Sequence, residues 1–222
     1  MVFYFTSLSH PDKAVIYMGK DKFENENLIK YSFPNDIWFH VEHLSSAHVY
    51  LRLEGLEDID DIPEELVQEM CQITKANSIE GSKKKEVGIV YTFASNLLKE
   101  DDMEVGAVYF KAPKAKRYIK HVSKDKEILN PLRKTKVESY PDLKEEYTSK
   151  IADMKKEAQL KKTEAKLEEK KKELTAKEVA KQKQKEKKEK AKQIEEFFRK
   201  ESHDYEEEKE PEKGEDALDD FW

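Results

Sequence analysis

The 222-residue chain predicts an α+β domain: one mixed or antiparallel sheet, a few covering helices, then a long solvated C-terminal helix. Three observations predict it. Runs with the two-residue alternation of strands recur throughout the stretch before Pro141. Few helical patterns interrupt them. From Pro141 onward Lys and Glu dominate, with no Gly or Pro before about Lys200.

Taken in order, Val2 to Thr6 and Val15 to Met18 are β-branched and aromatic runs parted by Ser9-His10-Pro11-Asp12, which reads as a hairpin. Gly19-Lys20-Asp21 leads into an amphipathic stretch from Phe23 to Ile29, a short helix or structured loop. Pro34-Asn35 breaks the chain before a second hairpin. There Ile37, Phe39 and Val41 alternate with Trp38 and His40, and Val49, Leu51 and Leu53 with His48, Tyr50 and Arg52. Asp60-Asp61 supplies an N-cap, Pro63 and two glutamates form a first turn, and Leu66, Met70 and Ile73 keep helical spacing up to a stop at Gly81. Glu86 to Thr92 reads as a strand, Ala94 to Lys99 as one or two helical turns, and Val105 to Lys111 and Arg117 to Val122 as strands. Lys124 to Leu129 opens a helix interrupted at Pro131.

Charged residues are 41% of the chain and hydrophobic ones 37%, but they are segregated, so the net charge of −6 says little about partners. Every Gly except Gly214, and most aromatics, lie before Pro141. This divides the chain into a folded domain at 1–138, a Lys/Glu-rich helix at 139–201 and an acidic, disordered tail at 202–222. Within the helix, Tyr147, Ile151, Met154 and Ala158 form one short seam, and Leu160, Leu167 and Leu174 another, out of register with it. A sustained coiled coil needs more clean heptads, so the expectation is an extended, mostly monomeric helix held by i,i+4 pairs. The single cysteine, Cys71, cannot form an intrachain disulfide and suits a reducing compartment. With neither a secretory signal pattern nor a run long enough to span a bilayer, a cytoplasmic protein is expected, the nucleus being the alternative.

If the second hairpin pairs, Trp38, His40, His48, Tyr50 and Arg52 collect on one face, a combination suited to stacking on bases and holding phosphates. Protonation of the histidines would then tighten binding below about pH 6.5. The alternative is that Trp38 and Tyr50 are core residues and the histidines hydrogen-bonded fillers, and alternation alone does not separate the two. Lysines add to the case: Lys20, Lys22 and Lys30 before the hairpin, Lys83-Lys84-Lys85 after Gly81, and a dense run from Lys111 to Lys136 that includes Lys114, Lys116, Arg117 and Lys120.

Other chemistries lack their context. His10-Pro11-Asp12 spells a co-chaperone tripeptide, but that motif belongs between two long helices and here follows a strand. His40, His43 and His48 do not all face one way, which argues against zinc. Ser45 and Ser46 lack a nucleophile-elbow pattern, and there is no phosphate-cradling loop. Neither an enzyme nor a cofactor or metal is expected.

Gly19-Lys20, Asn25 to Leu28, Asp36-Ile37-Trp38-Phe39-His40 and Ser46-Ala47-His48-Val49 follow the order G-K, N-x-L, D-x-W-x-H, S-H-V. In this the chain resembles the NFACT-R (DUF814) domain over about residues 1 to 135 and, with its Lys/Glu tail, the coiled-coil domain-containing protein 25 family. The resemblance implies a nucleic-acid-binding module, RNA more than DNA, with a link to translation or ribosome quality control. It departs at Ala47, where the wider family often carries serine. The expected interface comprises Lys20, Lys22, Asn27, Trp38, His40, His48, Tyr50, Arg52, Lys83 and Lys84. Candidate partners extend to the ribosome or a helical protein, and the alternatives are an adaptor acting through its helical tail and a DNA-binding sensor.

Overall fold

In the computed structural model, residues 1–207 are described, with side chains to 199. The core is a seven-stranded sheet in which every neighbouring pair is antiparallel, in the order β8-β5-β3-β4-β2-β1-β9. Its strands are β1 (Val2–Thr6), β2 (Ala14–Gly19), β3 (Ile37–Val41), β4 (Val49–Leu53), β5 (Glu86–Phe93), β8 (Arg117–Ser123) and β9 (Val137–Ser139). A two-stranded ladder joins β6 (Leu97–Leu98) to β7 (Tyr109–Phe110). The helices are α1 (Lys22–Tyr31), α2 (Glu64–Ala76), α3 (Lys126–Lys134) and α4 (Leu143–Glu207).

Both expected hairpins form. The β1–β2 turn holds His10-Pro11-Asp12, and the backbone N–H groups of Lys13 and Ala14 donate to the His10 carbonyl. The second hairpin pairs Ile37 with Leu51 and Trp38 with Tyr50. One sheet face, bearing Ile16, Ile37, Phe39, Leu51 and Ile89, packs with Leu66, Met70 and Ile73 of α2 and Leu129 and Leu132 of α3 in a single core. The opposite face, bearing Tyr17, Trp38, Tyr50 and Val90, is also covered. Leu28 of α1 and Leu97 of β6 close over it.

Local chemistry explains where elements begin and end, and corrects several expected boundaries. Asp21 caps α1, its carboxylate accepting from the N–H of Phe23 and of Glu24 at 3.0 Å each. Asp60 and Asp61 do not cap α2; they lie in a 3₁₀ turn capped by Asp58, while Pro63 precedes the helix and Glu64 and Glu65 occupy its positive end. That helix stops at Asn77 rather than Gly81, because Asn77 turns its own N–H and side-chain amide back onto the Ile73 carbonyl. The expected helical turns after Ala94 reduce to one 3₁₀ turn, Ala94–Asn96. The expected strand from Val105 shrinks to Tyr109–Phe110, and Gly106, inside the expected span, takes a left-handed φ of 84°, off the extended backbone of a regular strand. Asn96 extends that ladder with its side chain, donating to the Ala112 carbonyl at 3.1 Å and accepting from its N–H at 2.7 Å. Pro131 does not interrupt α3; burial of Leu129 and Leu132 holds the helix despite one lost backbone bond. The edge strand β9, which pairs with β1, was not expected from the sequence.

The chain divides into two compact units, Met1–Lys156 and Glu157–Trp222. In the second, Lys172–Glu168 and Lys177–Glu173 are i,i+4 ion pairs at 2.9 and 2.7 Å. Asp142 caps α4 through the Glu145 N–H at 3.0 Å, and the helix runs past the expected Lys200 to Glu207. The rest of the expected acidic tail lies outside the described residues.

Candidate nucleic-acid interface

The hairpin places Trp38, His40, His48, Tyr50 and Arg52 on one face as expected, but that face is not a free platform. Trp38 is 2% exposed, His48 3% and Tyr50 not at all. The cause is the cover supplied by α1 and by the β6–β7 segment. Tyr50 stacks on Tyr17, ring centroids 5.1 Å apart, and has no surface to offer a base. Arg52 is committed as well. Its Nε and Nη2 donate to the two oxygens of buried Asp36 at 3.0 and 2.9 Å, and its guanidinium lies 3.6 Å from the centre of the Phe33 ring. Asp36 also accepts from the Tyr17 hydroxyl and the Phe33 N–H. Arg52 therefore pins the β3 entry rather than standing ready for phosphate.

The imidazoles differ from expectation too. Burial pushes His48 down to about 3, with neighbouring His40 adding to the effect, and burial also lowers His40. Both stay neutral at physiological pH, so imidazolium–phosphate attraction is not available to them. Trp38 and His40 stack at 5.2 Å and 7° from parallel, with the His48 ring edge-on to both at 5.3 and 5.1 Å. His40 is fixed through Nδ1 against the Val41 carbonyl at 2.8 Å.

This ring cluster lines a cavity of about 330 Å³ together with Phe110, Lys116, Tyr118 and the Gly106–Val108 segment, and Glu42 and His43 also line it. Strand β8 builds one side. Tyr118 sits opposite Val90 in the register and is 47% exposed. Lys116 enters between two rings, its Nζ 4.5 Å from the Phe110 centroid and 5.4 Å from that of Tyr118. Exposed Lys111, Lys114, Lys120 and Tyr109 continue the edge outward. Cations interleaved with accessible rings beside a cavity suit a single strand, whose phosphates and unstacked bases need both.

The remaining candidates disperse. Lys22 reaches the rim; a Cβ built on Gly106 would lie 3.7 Å from its Cβ. Glu26 ties the same loop by accepting from the Gly106 N–H and from Lys99 at 2.8 Å. Lys20 is exposed before α1, and Asn27 lines a different groove with Tyr31 and Tyr140. Lys83 and Lys84 are exposed on a loop preceding β5, whose backbone carbonyls at Gly81, Lys84 and Lys85 all accept from the buried Lys75 ammonium at 2.9–3.4 Å. Phe110 and Tyr118 were not among the expected interface residues. The signal was present in the alternation of aromatics and cations from Tyr109 to Lys120. Among the described residues no cluster of His, Cys, Asp or Glu is arranged to hold a metal ion, and no helix is long and apolar enough to cross a membrane.

Residues 1–112 match the family described as NFACT protein RNA binding domain. Coiled-coil domain-containing protein 25 of Bos taurus is 55% identical over 147 residues, which is 66% of this chain and 71% of that protein. The chain belongs to the coiled-coil domain-containing protein 25 family. Protein JLP2 of Saccharomyces cerevisiae is 41% identical over 145 residues, 63% of this chain and 70% of that one. A solved structure of the C-terminal part of the fibronectin/fibrinogen-binding protein from Streptococcus suis aligns at TM-score 0.48 and 16% identity, over 60% of this chain and 48% of that one. The head of this family member is thus a nucleic-acid-binding module of the NFACT type, and most of the ring cavity's residues fall inside the matched span.

Proposed function

We propose that this chain is a non-enzymatic RNA-binding protein of the cytoplasm that grips single-stranded RNA along the β7–β8 edge. The observation that carries the reading is Lys116 seated between the Phe110 and Tyr118 rings at the mouth of the cavity, with Lys111, Lys114 and Lys120 beside it. RNA is favoured over DNA by the family description that matches residues 1–112. The resemblance of about residues 1 to 135 to the NFACT-R domain supports a link to translation or ribosome quality control, with the ribosome as a candidate partner.

The test is a salt titration of the full chain against a short single-stranded RNA. With each neutralised phosphate on a single strand contributing about 0.7 to the slope of log affinity against log salt, Lys111→Ala/Lys114→Ala/Lys116→Ala should flatten it by about 2. An unchanged slope removes this edge from the interface. Tighter binding of the matching single-stranded DNA identifies DNA as the ligand instead.

A second reading has its own observation. Leu160, Leu167 and Leu174 recur every seven residues along α4 and are 57–61% exposed. Such a stripe suits a helical protein partner. Association lost in Leu160→Glu/Leu167→Glu/Leu174→Glu with RNA affinity retained would establish the adaptor role.

A further inference from the structure

The ring cavity has a property that a general RNA-binding edge does not require. Two side-chain atoms of its lining residues, Trp38 Nε1 and His48 Nδ1, are buried and have no hydrogen-bond partner within the protein. A buried polar atom left unpaired is costly, and native proteins rarely keep two side by side without a use for them. The pair is chemically complementary. An indole N–H only donates. A neutral imidazole that carries its proton on the other ring nitrogen presents Nδ1 as an acceptor. One donor and one acceptor beside each other are what the polar edge of a nucleobase matches, since each base carries an acceptor next to a donor.

Shape agrees with chemistry. The cavity of about 330 Å³ is lined by the rings of Trp38, His40, Phe110 and Tyr118, with Lys116 beside the last two and Glu42 and His43 also in its lining. Planar walls with a few convergent polar groups are the usual make-up of a small-ligand site. Both orphan atoms are buried, and Gly106, Ala107 and Val108 line the cavity along with the rings that carry them. This segment carries the left-handed Gly106 and hangs on Glu26 and Lys99.

Resting on the RNA-binding reading above, we infer that this cavity receives one unpaired nucleobase, stacked on the ring walls and read at its polar edge by Trp38 Nε1–H and His48 Nδ1, with the adjoining phosphate on Lys116. The Gly106–Val108 backbone gives way as the base enters. The surrounding lysines supply strength without regard to bases, and the pocket supplies the part that requires one.

The deciding experiment compares two probes on the full chain: a mixed-sequence single-stranded oligoribonucleotide, and an abasic ribose-phosphate chain of the same length and charge. The intact strand should bind about 10- to 100-fold more tightly, the usual worth of a stacked base, with the same salt slope. The Trp38 indole ¹H–¹⁵N resonance should move with the intact strand and stay still with the abasic one. Ala107→Trp, which fills the cavity without altering charge, should erase the difference between probes; its melting curve shows whether it folds, and the Trp38 resonance of the unaltered protein decides the matter if it does not. Equal affinity for both probes, or an indole resonance indifferent to the base, overturns the pocket while leaving the lysine edge standing. Failure of both probes to bind overturns the RNA-binding reading and the pocket with it.

Discussion

Acidifying the protein from pH 7 to pH 4.5 should weaken the head through His48 alone by about 2–3 kcal/mol. In the unfolded chain the imidazole takes a proton near its ordinary value of about 6.5. In the folded head, burial between Trp38 and His40, with Lys99 also nearby, holds the value to about 3. Between those limits the unfolded state binds a proton that the folded state refuses, so stability falls as pH falls, by about 1.4 kcal/mol per pH unit once well below 6.5. Above pH 6.5 the contribution is complete; it is lost progressively towards pH 3. Urea unfolding followed by Trp38 fluorescence in a Trp222→Phe background measures this directly. The same series on His48→Gln isolates the histidine, since glutamine fills a comparable space and does not titrate. The His48 protein should lose about 2–3 kcal/mol more than His48→Gln over that range. Equal losses in both would refute the argument, because His48 would then be as free to protonate folded as unfolded.

The same geometry sets the remaining expectations. Trp38→Ala should destabilise the head by about 3–5 kcal/mol, the usual cost of deleting a large buried ring, as read by denaturant midpoint. Tyr50→Phe removes only an unpartnered hydroxyl and should leave stability unchanged or slightly raised; a loss above about 1 kcal/mol would show that the hydroxyl has a partner. Arg52→Ala should lower stability by about 2 kcal/mol by stranding Asp36, yet leave the salt slope of RNA binding intact, whereas the Lys111/Lys114/Lys116 set should do the reverse. Lys75→Met strands three carbonyls and should speed amide hydrogen exchange throughout residues 78–85; unchanged exchange there would mean that the basic loop is held by other bonds.

The hairpin was legible because alternation is a strong local signal: the parity that joins Trp38 to Tyr50 and separates Ile37 and Phe39 from them is the parity observed. What alternation cannot reveal is whether a sheet face is covered. Cover depends on segments distant in sequence, and the two that cover this face are weakly patterned. Leu28 and Ile29 are the main apolar positions inside α1, and the β6–β7 segment reads as broken fragments until the Asn96 amide ties Ala112 to it. Arg52 misled for the same reason, since its partner Asp36 lies 16 residues away, just before the other strand of the hairpin. The strand β9 is three residues long and exists through pairing with β1, so no local pattern announces it.

Cover over this face also changes what half-buried His40 and buried His48 mean. Had His40 and His48 been surface cations, their contribution to an RNA would be one more positive charge among many lysines, redundant and screened by salt. With burial lowering both imidazoles, His48 to about 3, they carry little charge near neutral pH. What they retain is direction: a ring held flat against Trp38 and a nitrogen lone pair fixed in place. Affinity and discrimination are then divided between different residues, with lysines along the β7–β8 edge and the rings behind them. The division yields a sharp expectation for binding between pH 7.5 and pH 6. Charge-based histidines would make affinity rise across that interval, whereas a His48 held neutral contributes no such rise to the affinity of the full chain for single-stranded RNA. A rise that disappears in His40→Gln/His48→Gln would return the histidines to the phosphate backbone.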